Sequence, residues 1–232
     1  MMKQSTYTLL ENYMLSCMED SAHDAEHIYR VLYNALDIAR TEKGVNLDIL
    51  ITACLLHDIG RKEEFQNPGI SHAEIGADKA YAFLLSHGFD KNFAEKVSTC
   101  IRLHSYRKST PPDSIEAKIL FDADKIDVTG ALGTARTLQY AGAASEPLYS
   151  LSDDGQVSDG TNDSKPSFFH EYKYKLEKIY NRFYTKRGRE IAVQRQDAAI
   201  EFYNHMLQEV NETYRNGAEN LSKVIEPSLG SD

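Results

Sequence analysis

The sequence predicts an all-α protein, a helical bundle with a long loop before its C-terminal helices. Apolar residues recur at steps of three and four through most of the chain, as over residues 21–40, where they form one stripe of a helix. Alternating runs of β-branched residues, which indicate strands, are nearly absent. Residues 145–167 are instead rich in Ser, Asp, Gly and Asn. Because this stretch is too long for a tight connection, it is interpreted as a loop or lid that closes over a substrate.

The helices before the loop have recognisable ends. The stripe of residues 47–59 is followed by Gly60, which stands where a C-terminal cap belongs. Ser71 and Glu74 have the spacing of a capping box, so a helix is expected to begin there and to run to Gly88.

The remaining helices follow from breaks in the pattern. A helix begins at Asp90, and the prolines within residues 110–113 end that region. One helix is then predicted over residues 114–138, apolar on several sides and therefore central. Two further helices cover residues 168–185 and 188–216.

These elements predict one helical domain over residues 1–216. Its parts are a core over about 20–140, the loop 145–167 and C-terminal helices over 168–216, with a polar tail at 217–232.

Composition excludes some classes of function. The net charge of −9 argues against nucleic-acid binding, which needs clustered Lys and Arg. It leaves open a small phosphorylated substrate, because a bound divalent cation can supply positive charge locally. The three cysteines are widely spaced and indicate a reducing compartment. With a polar start and no apolar run of membrane-spanning length, the expected location is cytoplasmic, without membrane contact.

Two histidines and an aspartate suggest where chemistry takes place. His57 and Asp58 are adjacent near the end of an apolar helix. Neighbouring side chains of a helix point about 100° apart, so both can meet one ion only at an edge that faces a second helix. His27, at the rim of the stripe over residues 21–40, lies on such a helix.

A third source of ligands is the acidic segment 121–127. Charged side chains are rarely buried without a partner or a metal, so its three carboxylates require cations. They belong to Asp122, Asp124 and Asp127. Each residue alone also has a structural interpretation: a packed histidine, a chance His-Asp pair or, for Asp122 and Asp127, a cap or a salt bridge to Lys118 or Lys125. The combination favours a metal centre.

The order His…His-Asp…Asp resembles the HD-domain phosphohydrolase superfamily. The segments that carry the resemblance are 25–31 (AEHIYRV), 55–60 (LLHDIG) and 122–127 (DADKID). Segments 130–136 (GALGTAR) and 188–195 (GREIAVQR) are similar to those of a bacterial branch, the YedJ/YpgQ-like HD proteins. The similarity spans about residues 20–212.

The resemblance implies an HD-domain bundle with one divalent metal ion. Its ligands would be His27, His57, Asp58 and the aspartate before Lys125, which is Asp124. The helical wheel alone leaves Asp122 as an alternative. Two imidazoles and two carboxylates suit Mn²⁺, which is favoured, and also Ni²⁺, Co²⁺, Fe²⁺, Zn²⁺ or Mg²⁺.

Further residues are expected to act on the substrate. Asp58, His72 and His104 are the candidate catalytic residues, the histidines as phosphate contacts or proton donors. In two-metal HD phosphodiesterases similar histidine positions hold a second ion, but here Ser105 follows His104 where a second histidine would stand, and a Gly-Tyr-Pro element is missing. One ion is therefore predicted. The candidate substrate-binding residues are Arg61, Lys62 and Arg107, together with Asp127, which alternatively orients a ligand histidine.

The branch resemblance suggests a nucleotide as the small-molecule partner. A (deoxy)nucleoside triphosphate cleaved to monophosphate and pyrophosphate is the leading expectation. The alternatives are a phosphomonoesterase or cyclic-nucleotide phosphodiesterase, a di-iron HD-type oxygenase, and a nucleotide sensor without turnover. Oligomeric state is not legible from the sequence.

Overall fold

The computed structural model confirms the all-α fold. It describes residues 2–18, 25–67, 69–105, 110–153 and 155–225. The α-helices are α1 (Gln4–Met18), α2 (Ala25–Ala39), α3 (Leu47–Leu56), α4 (Arg61–Gln66), α5 (His72–Ser86), α6 (Lys91–Leu103), α7 (Ile115–Ile126), α8 (Gly130–Ala143), α9 (Phe168–Glu171) and α10 (Lys186–Val224). Within those ranges no strand is present, only an isolated bridge between Leu151 and Val157. No helix in the described part of the chain combines the length and the apolar character needed to cross a bilayer.

The chain folds into two compact units. The first comprises Met1–Asp127 and Arg182–Ala192, and the second comprises Val128–Asn181 and Val193–Asp232. That residues 1–216 act as a single domain stays a prediction.

In the first unit the predicted stripes become the core. The apolar face of α2 carries Ile28, Val31 and Ile38, all buried, and packs against α7 and α3. Helix α3 also contacts α1, α6 and α7. Of its residues Ile49–Leu56, all are buried except Ile51, which is partly exposed. Burying an aliphatic side chain of this size contributes about 1.5–3 kcal/mol to the free energy of unfolding. This packing therefore stabilises the helices that carry the candidate site described below.

Gly60 has a different role from the predicted C-terminal cap. Helix α3 ends at Leu56, and the φ of Gly60 is −97°, outside the left-handed region. A Cβ atom at Gly60 would lie 2.4 Å from the carbonyl oxygen of His72 and 2.7 Å from the nitrogen of Gly76. The glycine therefore permits a close approach to α5. The prediction of a C-terminal cap at Gly60 is wrong, because the glycine is required by packing against another helix and not by the end of its own.

Helix α5 begins where predicted, but without the capping box. Ser71 precedes its first residue, yet the Ser71 side chain accepts no hydrogen bond from the helix. The backbone nitrogens of Glu74 and Ile75 donate instead to the carbonyl oxygen of Ser71.

The single helix predicted over residues 114–138 is two helices. Helix α7 ends at Ile126, and α8 begins at Gly130, whose φ of 63° is left-handed. An α-helix cannot continue through such a residue. The break leaves Asp127 at the C-terminal end of α7, which positions its side chain for the site described below.

The second unit is organised around aromatic side chains. Its buried cluster consists of Phe168, Phe169, Tyr172, Leu176, Ala199 and Tyr203. The rings of Tyr172 and Tyr203 stack at a centroid distance of 4.0 Å. Only α9 is α-helical in the segment predicted as one helix over 168–185; a π-helix (Tyr172–Leu176) and a 3₁₀ turn (Ile179–Asn181) follow. Helix α10 continues to Val224, beyond the predicted end at residue 216.

The described residues of the predicted loop, 145–153 and 155–167, form no helix but have their own contacts. The hydroxyls of Ser150 and Ser158 both donate to the Asp163 carboxylate at 2.5 Å. The Tyr203 hydroxyl donates to the carbonyl oxygen of Asp159 at 2.7 Å. These bonds give the loop a defined conformation. Its closure over a substrate stays a prediction.

Candidate metal centre

Four side chains from three helical segments meet inside the first unit. His27 lies on the first turn of α2, His57 and Asp58 directly follow α3, and Asp124 lies on the last turn of α7. All four are buried. We call their facing atoms the HD cluster: Nε2 of His27, Nε2 of His57, Oδ2 of Asp58 and Oδ1 of Asp124.

The distances within the HD cluster suit one metal ion. Nε2 of His27 lies 3.4 Å from Nε2 of His57, 3.5 Å from Oδ2 of Asp58 and 3.4 Å from Oδ1 of Asp124. Nε2 of His57 lies 3.6 Å from Oδ2 of Asp58. Ligands bound at about 2.0–2.2 Å are themselves about 3.3–3.6 Å apart on a tetrahedral ion, and adjacent ones are about 2.8–3.1 Å apart on an octahedral ion. The ligand atoms of His27, His57 and Asp124 all lie within 4.8 Å of one another, so this donor set fits a divalent cation.

Hydrogen bonds orient both imidazoles toward the HD cluster. Nδ1 of His57 donates to the carbonyl oxygen of Cys54 at 2.7 Å, and Nδ1 of His27 donates to Asp127 at 2.8 Å. With the proton on Nδ1, the lone pair of Nε2 points at the cluster. Burial lowers the pKa of His57 to about 3, because it disfavours the charged ring. His57 is thus a neutral donor at physiological pH.

Asp58 contributes a buried oxygen without a partner. Its Oδ2 accepts no hydrogen bond from any residue the structure describes. Burial alone would raise the pKa of the Asp58 carboxyl, but the charge of Arg61, whose Nε lies 2.9 Å from its Oδ1, holds it well below its usual value. An ionised oxygen in this environment calls for a cation.

Asp124, and not Asp122, faces the HD cluster. Burial would raise the pKa of the Asp124 carboxyl, but the charge of Lys125, whose Nζ lies 2.6 Å from Oδ2 of Asp124, holds it well below normal. The carboxylate of Asp122 points elsewhere and accepts hydrogen bonds from the backbone nitrogens of Tyr184 and Thr185 and from the Thr185 hydroxyl. Burial raises the pKa of Asp122 to about 6, although these bonds oppose the shift.

A second group of donors faces the other oxygen of Asp58. Nε2 of His104 lies 3.5 Å and Nε2 of His72 lies 3.7 Å from Oδ1 of Asp58. The two Nε2 atoms are 3.3 Å apart. Nδ1 of His104 donates to the carbonyl oxygen of Ile101, and Nδ1 of His72 lies 2.9 Å from Oε2 of Glu64. We call these two buried rings the histidine pair.

Basic residues surround the site unevenly. Arg61 reaches it, since its Nε donates to Oδ1 of Asp58 at 2.9 Å and its Nη1 to Glu64 at 3.0 Å. Lys62 lies on the first turn of α4 and is partly buried. Arg107 falls outside the described residues.

Asp127 has the contacts that the orienting role suggested by the sequence requires, and its role stays a prediction. It is fully buried, and both of its oxygens accept hydrogen bonds, from His27 and from Nε and Nη2 of Arg30. These three bonds occupy most of the about four acceptor positions of the carboxylate, which favours the orienting role over contact with a substrate.

Comparison with known proteins identifies the fold family. The HD domain profile matches residues 24–129 of the chain. The uncharacterized protein YpgQ of Bacillus subtilis (strain 168) is 30% identical over 196 residues, which cover 83% of this chain and 86% of YpgQ. The chain belongs to the HD-domain family. Its likeness to YpgQ also bears out the resemblance to that bacterial branch.

Solved structures agree with this HD assignment. The structure of Bacillus subtilis YpgQ in complex with ADP has a TM-score of 0.67 at 27% identity, covering 88% of this chain and 97% of that one. A predicted HD superfamily hydrolase from an uncultured Thermotogales bacterium has a TM-score of 0.58 at 31% identity, covering 87% of this chain and 91% of that one. Such neighbours, together with the HD cluster, support a metal-dependent hydrolase.

Three contacts of this HD domain were not predicted from its sequence. Arg30 holds Asp127, Glu64 joins Arg61 to His72, and Lys125 binds Asp124. Arg30 lies three residues after His27, and Glu64 three after Arg61, so each pair shares a helix face. This three-residue spacing was the sequence signal for these contacts. It predicts a contact only when the partner on a distant helix is known.

Proposed function

We propose that this HD domain is a metal-dependent phosphohydrolase that cleaves a (deoxy)nucleoside triphosphate to the monophosphate and pyrophosphate. The observation that carries the proposal is the HD cluster, where Nε2 of His27 lies 3.4–3.5 Å from Nε2 of His57 and from one carboxylate oxygen each of Asp58 and Asp124. The unpartnered Oδ2 of Asp58 within it supports a bound cation.

The nucleotide substrate is supported by a relative. Bacillus subtilis YpgQ, similar over most of its length, was solved in complex with ADP. A nucleoside with a phosphate chain is therefore the first substrate class to test. The chain's net charge of −9 agrees with a small anion held through a metal rather than with a nucleic-acid backbone.

Mn²⁺ is the proposed ion, because a mixed set of imidazole and carboxylate ligands without thiolate suits a six-coordinate first-row cation. His27, His57, Asp58 and Asp124 would hold it. When bound, such an ion lowers the pKa of a water molecule and polarises a phosphoryl oxygen.

The protein's own residues would manage charge and protons. The overall reaction adds water to one phosphorus and releases pyrophosphate, which takes up a proton as it leaves. The histidine pair is placed to supply that proton, because its two Nε2 atoms face each other at 3.3 Å and can share one between them. Arg61, held against Asp58 at 2.9 Å, adds a fixed positive charge for the phosphate chain.

The position of Arg61 also favours one ion over two. The histidine pair and Oδ1 of Asp58 form a second group of facing donors, which is the observation on the side of a two-ion site. Arg61 already neutralises that same oxygen at 2.9 Å. Metal content per chain, measured after dialysis, separates the two arrangements.

The decisive experiment screens the Mn²⁺-loaded protein against nucleoside triphosphates, phosphomonoesters and cyclic nucleotides, and identifies the phosphorus-containing products by ³¹P NMR. We expect monophosphate and pyrophosphate. Asp58→Ala and Asp124→Ala are expected to abolish metal binding and turnover while retaining the helical circular-dichroism signal. Asp37→Ala, which removes an exposed carboxylate paired with Arg187, serves as the control.

Other outcomes point to the alternatives. Release of inorganic phosphate alone, or opening of a cyclic nucleotide, would replace the proposed reaction by a phosphomonoesterase or a cyclic-nucleotide phosphodiesterase. Oxygen consumption by an iron-loaded protein would indicate an oxygenase. Tight nucleotide binding without product would indicate a sensor.

A further inference from the structure

Lys125 is buried beside the HD cluster. Its side chain is only 8% exposed, and its Nζ lies 2.6 Å from Oδ2 of Asp124. The same Nζ donates to the carbonyl oxygen of His104 at 3.3 Å and lies 4.9 Å from the centre of the Phe121 ring. Burying an ammonium group costs several kcal/mol before its contacts offset that cost, so this placement calls for a reason.

The two oxygens of Asp124 have different partners. Oδ1 faces the HD cluster at 3.4 Å from Nε2 of His27, and Oδ2 is bound by Lys125. Asp58 shows the same division, since its Oδ2 faces the cluster and its Oδ1 is bound by Arg61 at 2.9 Å. Each carboxylate thus presents one oxygen to the cluster and gives the other to a basic side chain.

We propose that Lys125 is a positioning residue that restricts Asp124 to a single donor oxygen and thereby makes the cluster select Mn²⁺-like ions over Ca²⁺. The inference rests on the metal centre of the proposed function. The three contacts of Lys125 hold its ammonium group in place, so Oδ2 of Asp124 is not free to turn toward an ion.

The selectivity follows from coordination chemistry. Ca²⁺ takes about six to eight oxygen ligands and often binds both oxygens of one carboxylate. With both carboxylates limited to one oxygen, the HD cluster offers two nitrogens and two oxygens. Such a set satisfies a first-row ion that prefers mixed ligands, and it leaves Ca²⁺ with too few oxygens.

The test compares ion affinities in the metal-free protein. Lys125→Met keeps an unbranched side chain and removes the ammonium group. Isothermal titration with Mn²⁺ and with Ca²⁺ is expected to show the Ca²⁺ affinity rising about tenfold relative to that for Mn²⁺, within the range typical of residues that orient metal ligands. With Mn²⁺ bound to Lys125→Met, kcat is expected to fall while KM stays near its wild-type value. In this variant both oxygens of Asp124 can bind the ion, and the second oxygen takes up a coordination position that the reaction needs.

Two control variants separate positioning from charge. Lys125→Arg retains a cationic donor and is expected to retain the wild-type preference for Mn²⁺. Lys79→Met removes an equal charge outside the HD cluster. Nζ of Lys79 contacts the carbonyl oxygen of Ile59 and the carboxylate of Glu63. This variant is expected to leave the ion preference unchanged.

Each result decides a different question. An unchanged Ca²⁺-to-Mn²⁺ ratio in a folded Lys125→Met protein that still binds Mn²⁺ would overturn the inference alone. A wild-type protein that binds no divalent ion would overturn the proposed function. If Lys125→Met does not fold, crystals of the wild-type protein with Mn²⁺ answer the same question, because contact of Oδ2 of Asp124 with the ion rules the inference out.

Discussion

Nδ1 of His27 donates a hydrogen bond of 2.8 Å to Oδ2 of Asp127, which lies one hundred residues further along the chain. Asp127 is in turn held by two bonds from Arg30, at 2.8 and 3.1 Å. Arg30 and His27 share the first turns of α2, so the three side chains form a closed arrangement between α2 and the end of α7. It presents Nε2 of His27 to the HD cluster in one orientation.

Asp127→Asn is therefore expected to weaken Mn²⁺ binding without removing a ligand. The amide keeps the shape of the carboxylate but loses the charge that His27 and Arg30 face, and such partners typically account for about a 10–100-fold change in metal affinity. Isothermal titration of the metal-free protein measures it. The matched control is Asp37→Asn, which breaks an exposed pair with Arg187. Equal Mn²⁺ affinity in both variants would show that Asp127 does not orient the ligand.

Substitutions of Asp122 and Asp124, which lie two positions apart on α7, are expected to have different effects. Asp124→Asn should lose Mn²⁺ binding, since Oδ1 of Asp124 faces the HD cluster. Asp122→Asn should retain it but lower the free energy of unfolding by about 1–3 kcal/mol, because the new amide group meets the hydrogen-bond donors of Tyr184 and Thr185. Titration with Mn²⁺ and urea unfolding followed by circular dichroism check both. The assignment of ligands is reversed if Asp122→Asn is the variant that no longer binds metal.

His104→Gln is expected to separate catalysis from metal binding. His104 faces Oδ1 of Asp58 and its partner His72, and its ring centre lies 5.1 Å from that of His57. Loss of a proton donor typically lowers turnover by about 10²–10⁴-fold, and Mn²⁺ affinity should stay close to wild type. His87→Gln is the control, because His87 also bonds a backbone carbonyl through Nδ1 but is exposed at the end of α5. If turnover of His104→Gln equals that of the control, the histidine pair has no part in the reaction.

Gly60→Ala is expected to destabilise the first unit and to disturb the site. The added Cβ would lie 2.4 Å from the carbonyl oxygen of His72, and both that backbone and Gly76 would have to move. Overpacking of this kind costs about 1–3 kcal/mol and should lower Tm, measured by circular dichroism. Gly142→Ala on α8 meets no atom within 4 Å and is expected to leave Tm unchanged or to raise it. A Gly60→Ala protein as stable as Gly142→Ala would mean that α4 and α5 do not pack this closely.

Helix prediction succeeded where local pattern and tertiary packing agree. Helices α2, α3 and α6 lie within their predicted ranges because their apolar stripes face the core. It failed at the break before Gly130, where a left-handed residue interrupts a pattern that would otherwise continue as helix. It failed again over residues 168–185, where aromatic packing around Tyr172 accompanies π-helical and 3₁₀ geometry in place of a regular helix.

The sequence by itself determined the fold class and the residue types of the candidate site. A His-Asp pair at the end of an apolar helix, a histidine on a stripe and carboxylates in a buried segment are local features, and each is legible from spacing and hydrophobicity. Which atoms meet depends on how the helices pack. The position of Asp124 beside His27, the contacts of Asp122 with Tyr184 and Thr185, and the bond of Asp127 to His27 all involve side chains or backbone from segments distant in sequence. Periodicity places a residue on a face of its own helix, but the partner of that face is set by how the helices pack.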